Sequence, residues 1–253
     1  MMDQDPFSLA GKRILVTGAS SGIGRQVALS CADMGAQLII TGRDPQRLQA
    51  TADELPGSGH LAVIADLAQP VDLARLVEQT GVINGLVHAA GISRLVPFRM
   101  ISQAHLSEMF EHNTYAPMML TKELLGKKRV VAGGSIVFIS ALASHSGAQA
   151  TAAYAASKSA LLGAMRSLAI EVAKHGIRAN CIAPGYVRTP MLNGLSQGGA
   201  QMERLIEQTP LGLGDPQDIA YAAAFHLADA SRWITGNYFI LDGGLSTSMD
   251  IYA

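Results

Sequence analysis

The sequence predicts an α/β fold, a doubly wound parallel sheet in a single domain over 1–253, and three observations lead there. Short apolar runs alternate with helix-period patterns along the whole chain. A glycine turn joins the first run to the first helical pattern. Later runs end on small or polar residues, at the carboxyl edge where open α/β sheets bind ligands. A length of 253 residues allows one large domain or two small ones, and no linker forces a split.

Lys12 to Thr17 is the first strand-like run, and Gly18-Ala19-Ser20-Ser21-Gly22-Ile23-Gly24 follows it at once. A helical pattern then runs through Val27, Ala28, Cys31 and Met34. Strand, glycine turn and helix in this order suit a dinucleotide: glycines let the backbone approach a pyrophosphate, and the N–H groups of the helix start face its charge. The spacing is Gly-x-x-x-Gly-x-Gly, not the general Gly-x-Gly-x-x-Gly. Ala36 to Thr41 is the second strand. An acid at its end would hold a ribose 2′-hydroxyl, but Gly42 stands there and Arg43 follows. Asp44-Pro45 reads as a helix N-cap with proline at the first helical position, which gives Asp44 a structural task. Arg43 therefore points to NADP(H) as the preferred cofactor, with NAD(H) the second reading; the alternative is a solvated surface charge.

His60 to Ala65 and Gly85 to Ala89 are the third and fourth strands, ending at Asp66 and Gly91. Ser102 to Lys128 is a long helical pattern that contains Asn113 and, four residues on, Pro117. Proline has no N–H, so the main-chain carbonyl of Asn113 loses its helical partner and is free to anchor a water leading toward Lys158. Ser135 to Ile139 is a buried strand that delivers the hydroxyl of Ser140 to the carboxyl edge. Tyr154 and Lys158 follow four apart in an alanine-rich helical segment, one turn apart on one face. A neighbouring ammonium favours a phenolate, so Lys158 is expected to lower the Tyr154 pKa and make the phenol a usable acid or base. Tyr-x-x-x-Lys alone also occurs on solvated helices. Ile177 to Ala183 leads into Pro184-Gly185-Tyr186-Val187-Arg188-Thr189-Pro190, and 186–210, apolar on one side and glycine-rich, suits a mobile lid or an ordinary surface helix. Tyr238 to Leu241 is the last strand.

Net charge is −1 and charged residues are 15% of the chain, so no basic field suits nucleic acid. Hydrophobic residues reach 49% but never in a membrane-spanning run, and the acidic amino terminus does not read as a signal peptide, so the expected location is cytoplasmic. Cys31 and Cys181 are the only cysteines and are expected as buried free thiols. The seven histidines lack metal-ligand spacing, so no metal is expected.

Thr17-Gly18-x-x-x-Gly22-Ile23-Gly24, Asn113, Ser140, Tyr154-x-x-x-Lys158 and Pro184-Gly185 with Thr189, in this order, resemble the short-chain dehydrogenase/reductase family from Leu9 to Gly244. The resemblance implies a Rossmann fold with a sheet of about seven strands. It implies that Tyr154 is the proton donor or acceptor, Ser140 orients the substrate oxygen, Lys158 binds nicotinamide ribose and lowers the phenol pKa, and Asn113 completes the relay. By the same resemblance Gly18, Ser20, Ser21, Gly22, Ile23, Gly24, Arg43, Asp66, Leu67, Ala90, Gly91, Tyr154, Lys158, Pro184, Gly185, Val187 and Thr189 form the cofactor site. One departure is His88-Ala89-Ala90-Gly91, where the family has Asn-Asn-Ala-Gly. The Tyr154–Lys158 spacing excludes the longer gap of the related enoyl reductases.

The expected activity is an NADP(H)-dependent ketone reductase, reversible as an alcohol dehydrogenase and closest in type to the 3-oxoacyl-carrier-protein reductases. The alternative is an NAD(H)-dependent sugar, polyol or steroid dehydrogenase, and a third reading is a non-catalytic nucleotide sensor. Pro97, Phe98, Leu142, Tyr186, Met191 and Leu195 suggest an apolar substrate pocket. Lys127-Lys128-Arg129 suits either an acidic carrier protein or the helix dipole. Small residues Ala153, Ala156, Ala160 and Ala164, expected on the outer face of their helix, suggest close helix pairing and a homotetramer, with a dimer second.

Overall fold

The computed structural model describes residues 5–195 and 199–247. Seven strands form one parallel sheet: β1 (Arg13–Thr17), β2 (Gln37–Gly42), β3 (Leu61–Ile64), β4 (Ile83–His88), β5 (Val130–Ile139), β6 (Arg178–Pro184) and β7 (Tyr238–Leu241), in the order β3-β2-β1-β4-β5-β6-β7. The order reverses between β1 and β4, and this switch point opens a crevice at the carboxyl edge.

Strand side chains alternate faces, and the core divides accordingly. Ile14 and Val16 of β1 pack with Val27, Ala28 and Cys31 of α1 (Gly22–Asp33), Leu48 of α2 (Pro45–Glu54) and Ile219 and Ala223 of a carboxyl-terminal helix, Pro216–Leu227. Leu15 packs on the other face with Leu76 of α3 (Pro70–Thr80), and with Leu120 and Leu161, which lie on helices described next. Cys31 and Cys181 are buried free thiols, one in each of these layers.

The helical pattern from Ser102 is not one uniform helix. It divides into α4 (Gln103–Phe110), a π-helical turn over Glu111–Tyr115, and α5 (Ala116–Gly126). Ser102 caps α4, its hydroxyl accepting from the His105 N–H at 3.1 Å. Pro117 cannot donate to the Asn113 carbonyl, and the backbone widens there: the Ala116 N–H bonds to the Glu111 carbonyl, five residues back. β5 starts five residues before the expected strand, with a register irregularity opposite Ile83 to Gly85; Gly133 takes a positive φ of 79° in that stretch.

Helix α6 (Ala152–Val172) carries Tyr154 and Lys158. Beyond β6 lie α7 (Pro190–Leu195), α8 (Gly199–Gln208) and α9 (Pro216–Leu227). The expected lid spans α7 and α8; its residues 196–198 lie outside the described residues. No helix among the described residues is long and apolar enough to cross a membrane.

Candidate active site

The turn after β1 is folded so tightly that only glycine fits. Gly18 has a φ of 67°, and a Cβ there would stand 2.7 Å from the backbone of Ala90. A Cβ on Gly24 would strike the carbonyl of Gly18. The Thr17 hydroxyl accepts from the Ala89 and Ala90 N–H groups at 3.2 and 3.1 Å, which ties the end of β1 to the end of β4. The Ser21 side chain makes no cap bond to α1, so the first N–H groups of that helix face the cleft.

A cleft of about 790 Å³ opens over this cradle. Gly18, Ser20, Ser21, Gly22, Ile23, Gly24, Arg43, Asp66, Leu67, Ala90, Gly91 and Thr189 all line it, as expected of a dinucleotide site. Pro184, Gly185 and Val187 line the adjoining cleft instead. The residues fit a dinucleotide: a glycine floor lets the pyrophosphate meet backbone N–H groups, and Arg43 is exposed beside the end of β2. Asp44 is occupied as expected. One carboxylate oxygen accepts from the Arg47 N–H at 3.0 Å and the other pairs with its guanidinium at 2.6 Å, and these bonds hold its pKa below the usual carboxylate range.

The second cleft, about 570 Å³, contains Ser140, Tyr154 and Lys158 and shares Ile23, Ala89, Gly91, Thr189 and Met191 with the first. Ser140 is held by its N–H, which donates to the Ile182 carbonyl at 2.8 Å and so extends the β5–β6 ladder by one residue. Lys158 is buried, and its ammonium donates to the Ile139 carbonyl at 2.9 Å. Gly91 leaves room for it: a Cβ there would stand 3.2 Å from Nζ and 2.9 Å from Oδ1 of Asn113.

Asn113 lines neither cleft. Its buried side chain is a clamp: Oδ1 accepts from the Ile92 N–H at 2.9 Å, while Nδ2 donates to the Ile92 carbonyl and the Ser157 hydroxyl, each at 3.0 Å. The Ser157 hydroxyl in turn donates to the Tyr154 carbonyl at 2.7 Å. Asn113 thus fixes the loop after β4 against α6, and any part in a relay falls to its main-chain carbonyl, opposite Pro117.

The two titrating side chains are shifted in opposite directions by burial. Burial pushes the Tyr154 phenol up to about 12 and the Lys158 ammonium down to about 8. With its ammonium on the Ile139 carbonyl, Lys158 is not placed against the phenol as the sequence reading expects, and desolvation dominates both groups.

Leu142, Tyr186 and Met191, expected in an apolar pocket, line the second cleft, joined by Leu95, Leu192, Leu205 and Leu245. Pro97 and Phe98 do not; they lie on an exposed turn, with Phe98 81% exposed. The side chain of Leu195 lies outside the described residues. Leu95 reaches the cleft from a loop and Leu245 from a single 3-10 turn, neither long enough to carry a periodicity that reveals it. Ala153, expected on the outer face of α6, is buried at 2% exposure, whereas Ala156 is exposed. The basic cluster sits where α5 meets the amino end of β5, at the sheet edge opposite Ser140. Lys127 and Arg129 there share a single carboxylate, Glu78, so the cluster keeps a net positive charge but lies at the edge of the sheet away from the site.

His88, the departure noted above, is buried at the edge of the cofactor cleft. Its Nε2 meets the Thr121 hydroxyl at 2.7 Å and its ring stacks on Phe138, centroids 4.8 Å apart. Burial, and then the Lys158 charge, hold its pKa down at about 3, so the ring is neutral.

A glycine cradle at the switch point, opening onto a shared cleft with a serine, a tyrosine and a lysine, defines a nicotinamide-dependent oxidoreductase. A family model described as enoyl-(acyl carrier protein) reductase matches residues 18–246. Oxidoreductase UcpA of Escherichia coli (strain K12) is 36% identical, over 93% of this chain and 95% of that protein. The 3-oxoacyl-[acyl-carrier-protein] reductase FabG of Rickettsia prowazekii is 34% identical, over 94% and 98%. Among solved structures, a putative NAD(P) dependent gluconate 5-dehydrogenase from Beutenbergia cavernae with bound NADP is 34% identical with a TM-score of 0.88, covering 96% of this chain and all of that one. The chain belongs to the short-chain dehydrogenase/reductase family, and it interconverts a ketone and an alcohol with a nicotinamide cofactor.

Proposed function

We propose that this protein is an NADP(H)-dependent carbonyl reductase of the cytoplasm, reversible as a secondary-alcohol dehydrogenase. The observation that carries the cofactor preference is the exposed Arg43 guanidinium at the end of β2, where an acid would repel a 2′-phosphate; the neighbouring carboxylate, Asp44, is already committed to Arg47. The bound dinucleotide would supply or accept the hydride. In reduction Tyr154 gives its proton to the substrate oxygen, and Ser140 donates a hydrogen bond that places that oxygen. Lys158 contributes a cation to the nicotinamide ribose, and Asn113 holds the α6 scaffold on which both side chains stand.

Leu142, Tyr186, Met191 and Leu205 make the substrate side of the cleft largely apolar, which favours an uncharged ketone. Similarity to the Rickettsia enzyme supports a 3-oxoacyl thioester, whereas the basic cluster lies at the sheet edge opposite Ser140, away from the cleft a carrier-bound substrate would enter. The similarity to a putative gluconate 5-dehydrogenase favours a sugar or polyol as the second substrate reading, and the NADP bound in that structure sets it apart from the NAD(H) form of that reading. Helices α7 and α8 serve as a mobile lid over both clefts, and a homotetramer is the proposed assembly.

A panel of ketones and alcohols assayed with both cofactors tests the reading. Wild type is expected to prefer NADPH to NADH, and Arg43→Ala to lose affinity for NADPH about tenfold or more while NADH binding stays level, as removal of a charge-assisted contact predicts. An unchanged ratio in the variant would mean that Arg43 is only a solvated charge.

A further inference from the structure

The second cleft is walled almost entirely by uncharged groups. Among the described residues around it, Lys158 alone carries a charge, and its ammonium is held by the Ile139 carbonyl at 2.9 Å. A substrate carboxylate would lie there without a free cation, in a wall made mostly of leucine, alanine and methionine. What the wall offers beyond Ser140 and Tyr154 is neutral hydrogen bonding. Two of its hydroxyls are already engaged: Thr151 donates to the Ala148 carbonyl at 2.8 Å and Ser146 to the Leu142 carbonyl at 3.3 Å. The side-chain amide of Gln149 lines the same cleft and has no partner among the described residues.

The backbone holds Gln149 in that wall. Ala148 to Thr151 form a turn, closed by the Thr151 N–H on the Ala148 carbonyl at 3.4 Å. Ala150, the second of its two central residues, has a φ of 62°, a conformation that turns of this kind usually give to glycine. It is fixed from outside the turn. The Ala150 carbonyl accepts from the Val96 N–H at 2.9 Å, which joins the turn to the loop that brings Ser93 and Leu95 into the cleft. On the other side the Thr151 carbonyl accepts from the Ala155 N–H at 2.7 Å, inside the first turn of α6. Gln149 therefore stands between two anchors, five residues before Tyr154. A residue with a Cβ held left-handed beside a site, by bonds that leave it no choice, is pre-organisation of that site.

We infer that Gln149 is a specificity residue: its amide N–H donates to a neutral oxygen that the substrate carries beside its ketone. The enzyme then takes uncharged ketones with a second carbonyl or hydroxyl and refuses those with a carboxylate. An amide both donates and accepts, so either neutral group can pair with it. This inference rests on the reading of the protein as a ketone reductase and names the substrate class of that same cleft.

The test uses the full-length protein with NADPH and three ketones. Ethyl acetoacetate carries an ester beside the ketone, 2-heptanone has the same chain length without it, and acetoacetate has a carboxylate in its place. The ester also activates the ketone toward hydride, so the readout is the change of preference in a variant. Gln149→Met, similar in shape and unable to donate, is expected to lower the ratio of kcat/KM for the ester over that for 2-heptanone about five- to tenfold, the loss of one neutral hydrogen bond to substrate. Tm should hold, because Gln149 is exposed. Wild type is expected to reduce acetoacetate about a hundredfold less efficiently than its ester, as an unpaired charge in such a cleft predicts. An unchanged ratio in Gln149→Met, whether both rates hold or both fall together, overturns the assignment and leaves ketone reduction in place. A fall in Ser93→Ala instead gives the contact to that hydroxyl and overturns it too. Acetoacetate reduced as readily as the ester overturns the exclusion of charge. A wild type that turns over none of the three yet reduces other ketones overturns the inference alone, whereas one that reduces no ketone on a broad panel removes the reading beneath it.

Discussion

Lowering the pH from 7 to 5 should destabilise this protein through His88, and the size of the effect can be worked from its surroundings. The imidazole lies between Thr121 and Phe138, is 3% exposed, and feels the positive charge of Lys158. Its pKa falls from 6.5 to about 3, so the folded ring stays neutral where the unfolded chain takes up a proton. Stability is therefore complete above pH 6.5 and is lost as the pH falls from 6.5 toward 3. At roughly 1.4 kcal/mol per pH unit, the step from pH 7 to pH 5 costs about 2 kcal/mol. His226 is held down to about 4, by burial and then by Arg178, and adds a loss of similar size, so the total slope does not isolate His88. A difference does. Urea unfolding of the cofactor-free protein, at one protein concentration, should show His88→Gln losing about 2 kcal/mol less than wild type between the two pH values. Glutamine can still reach Thr121 but does not titrate; its loss of stacking on Phe138 is common to both pH values and cancels. Parallel losses in the two proteins would refute a neutral buried imidazole.

Tyr154→Phe is expected to lower kcat for ketone reduction by about 10²- to 10⁴-fold, the span of a general acid, with NADPH affinity by fluorescence titration unchanged within about twofold; near-normal turnover would sink the proposed proton path. A homotetramer is expected by sedimentation at micromolar concentration. Half-exposed Tyr115, Met118 and Met119 around the start of α5, with the small exposed residues of α6, supply the apolar surface for pairing, and a monomeric mass would contradict both the tetramer and the dimer.

The sheet was legible because its inner strands are buried on both faces and read as unbroken apolar runs, because the partly exposed edge strands β3 and β7 are still apolar, and because Gly18, Gly22 and Gly24 mark the turn. Asp44 was legible for a local reason: a cap bonds to its own helix, three residues on. What escaped the sequence depends on distant packing. Pro117 announced a lost hydrogen bond, but the π turn that absorbs it is set by the fit of Asn113 between Ile92 and Ser157. Phe98 is apolar and follows the strand that ends beside the site, yet the chain turns it to solvent.

The opposite shifts of Tyr154 and Lys158 have one cause, and it constrains the reaction. Burial disfavours the phenolate and the ammonium alike, raising one pKa to about 12 and lowering the other to about 8. A phenol at that value exchanges protons too slowly near neutrality to serve as an efficient base for alcohol oxidation. The cost of the two charges falls when they form side by side, since each then desolvates against its opposite. Lysine has the flexible stem to exchange the Ile139 carbonyl for the phenolate oxygen. In the reacting state the two groups would titrate as a coupled pair, with apparent values that belong to the pair. The kcat/KM for oxidation should then rise with pH and level off well below 12, and Lys158→Met should move that rise upward. A wild-type profile still climbing toward 12 would mean that the phenol titrates alone, with the ammonium left on the carbonyl where it now lies.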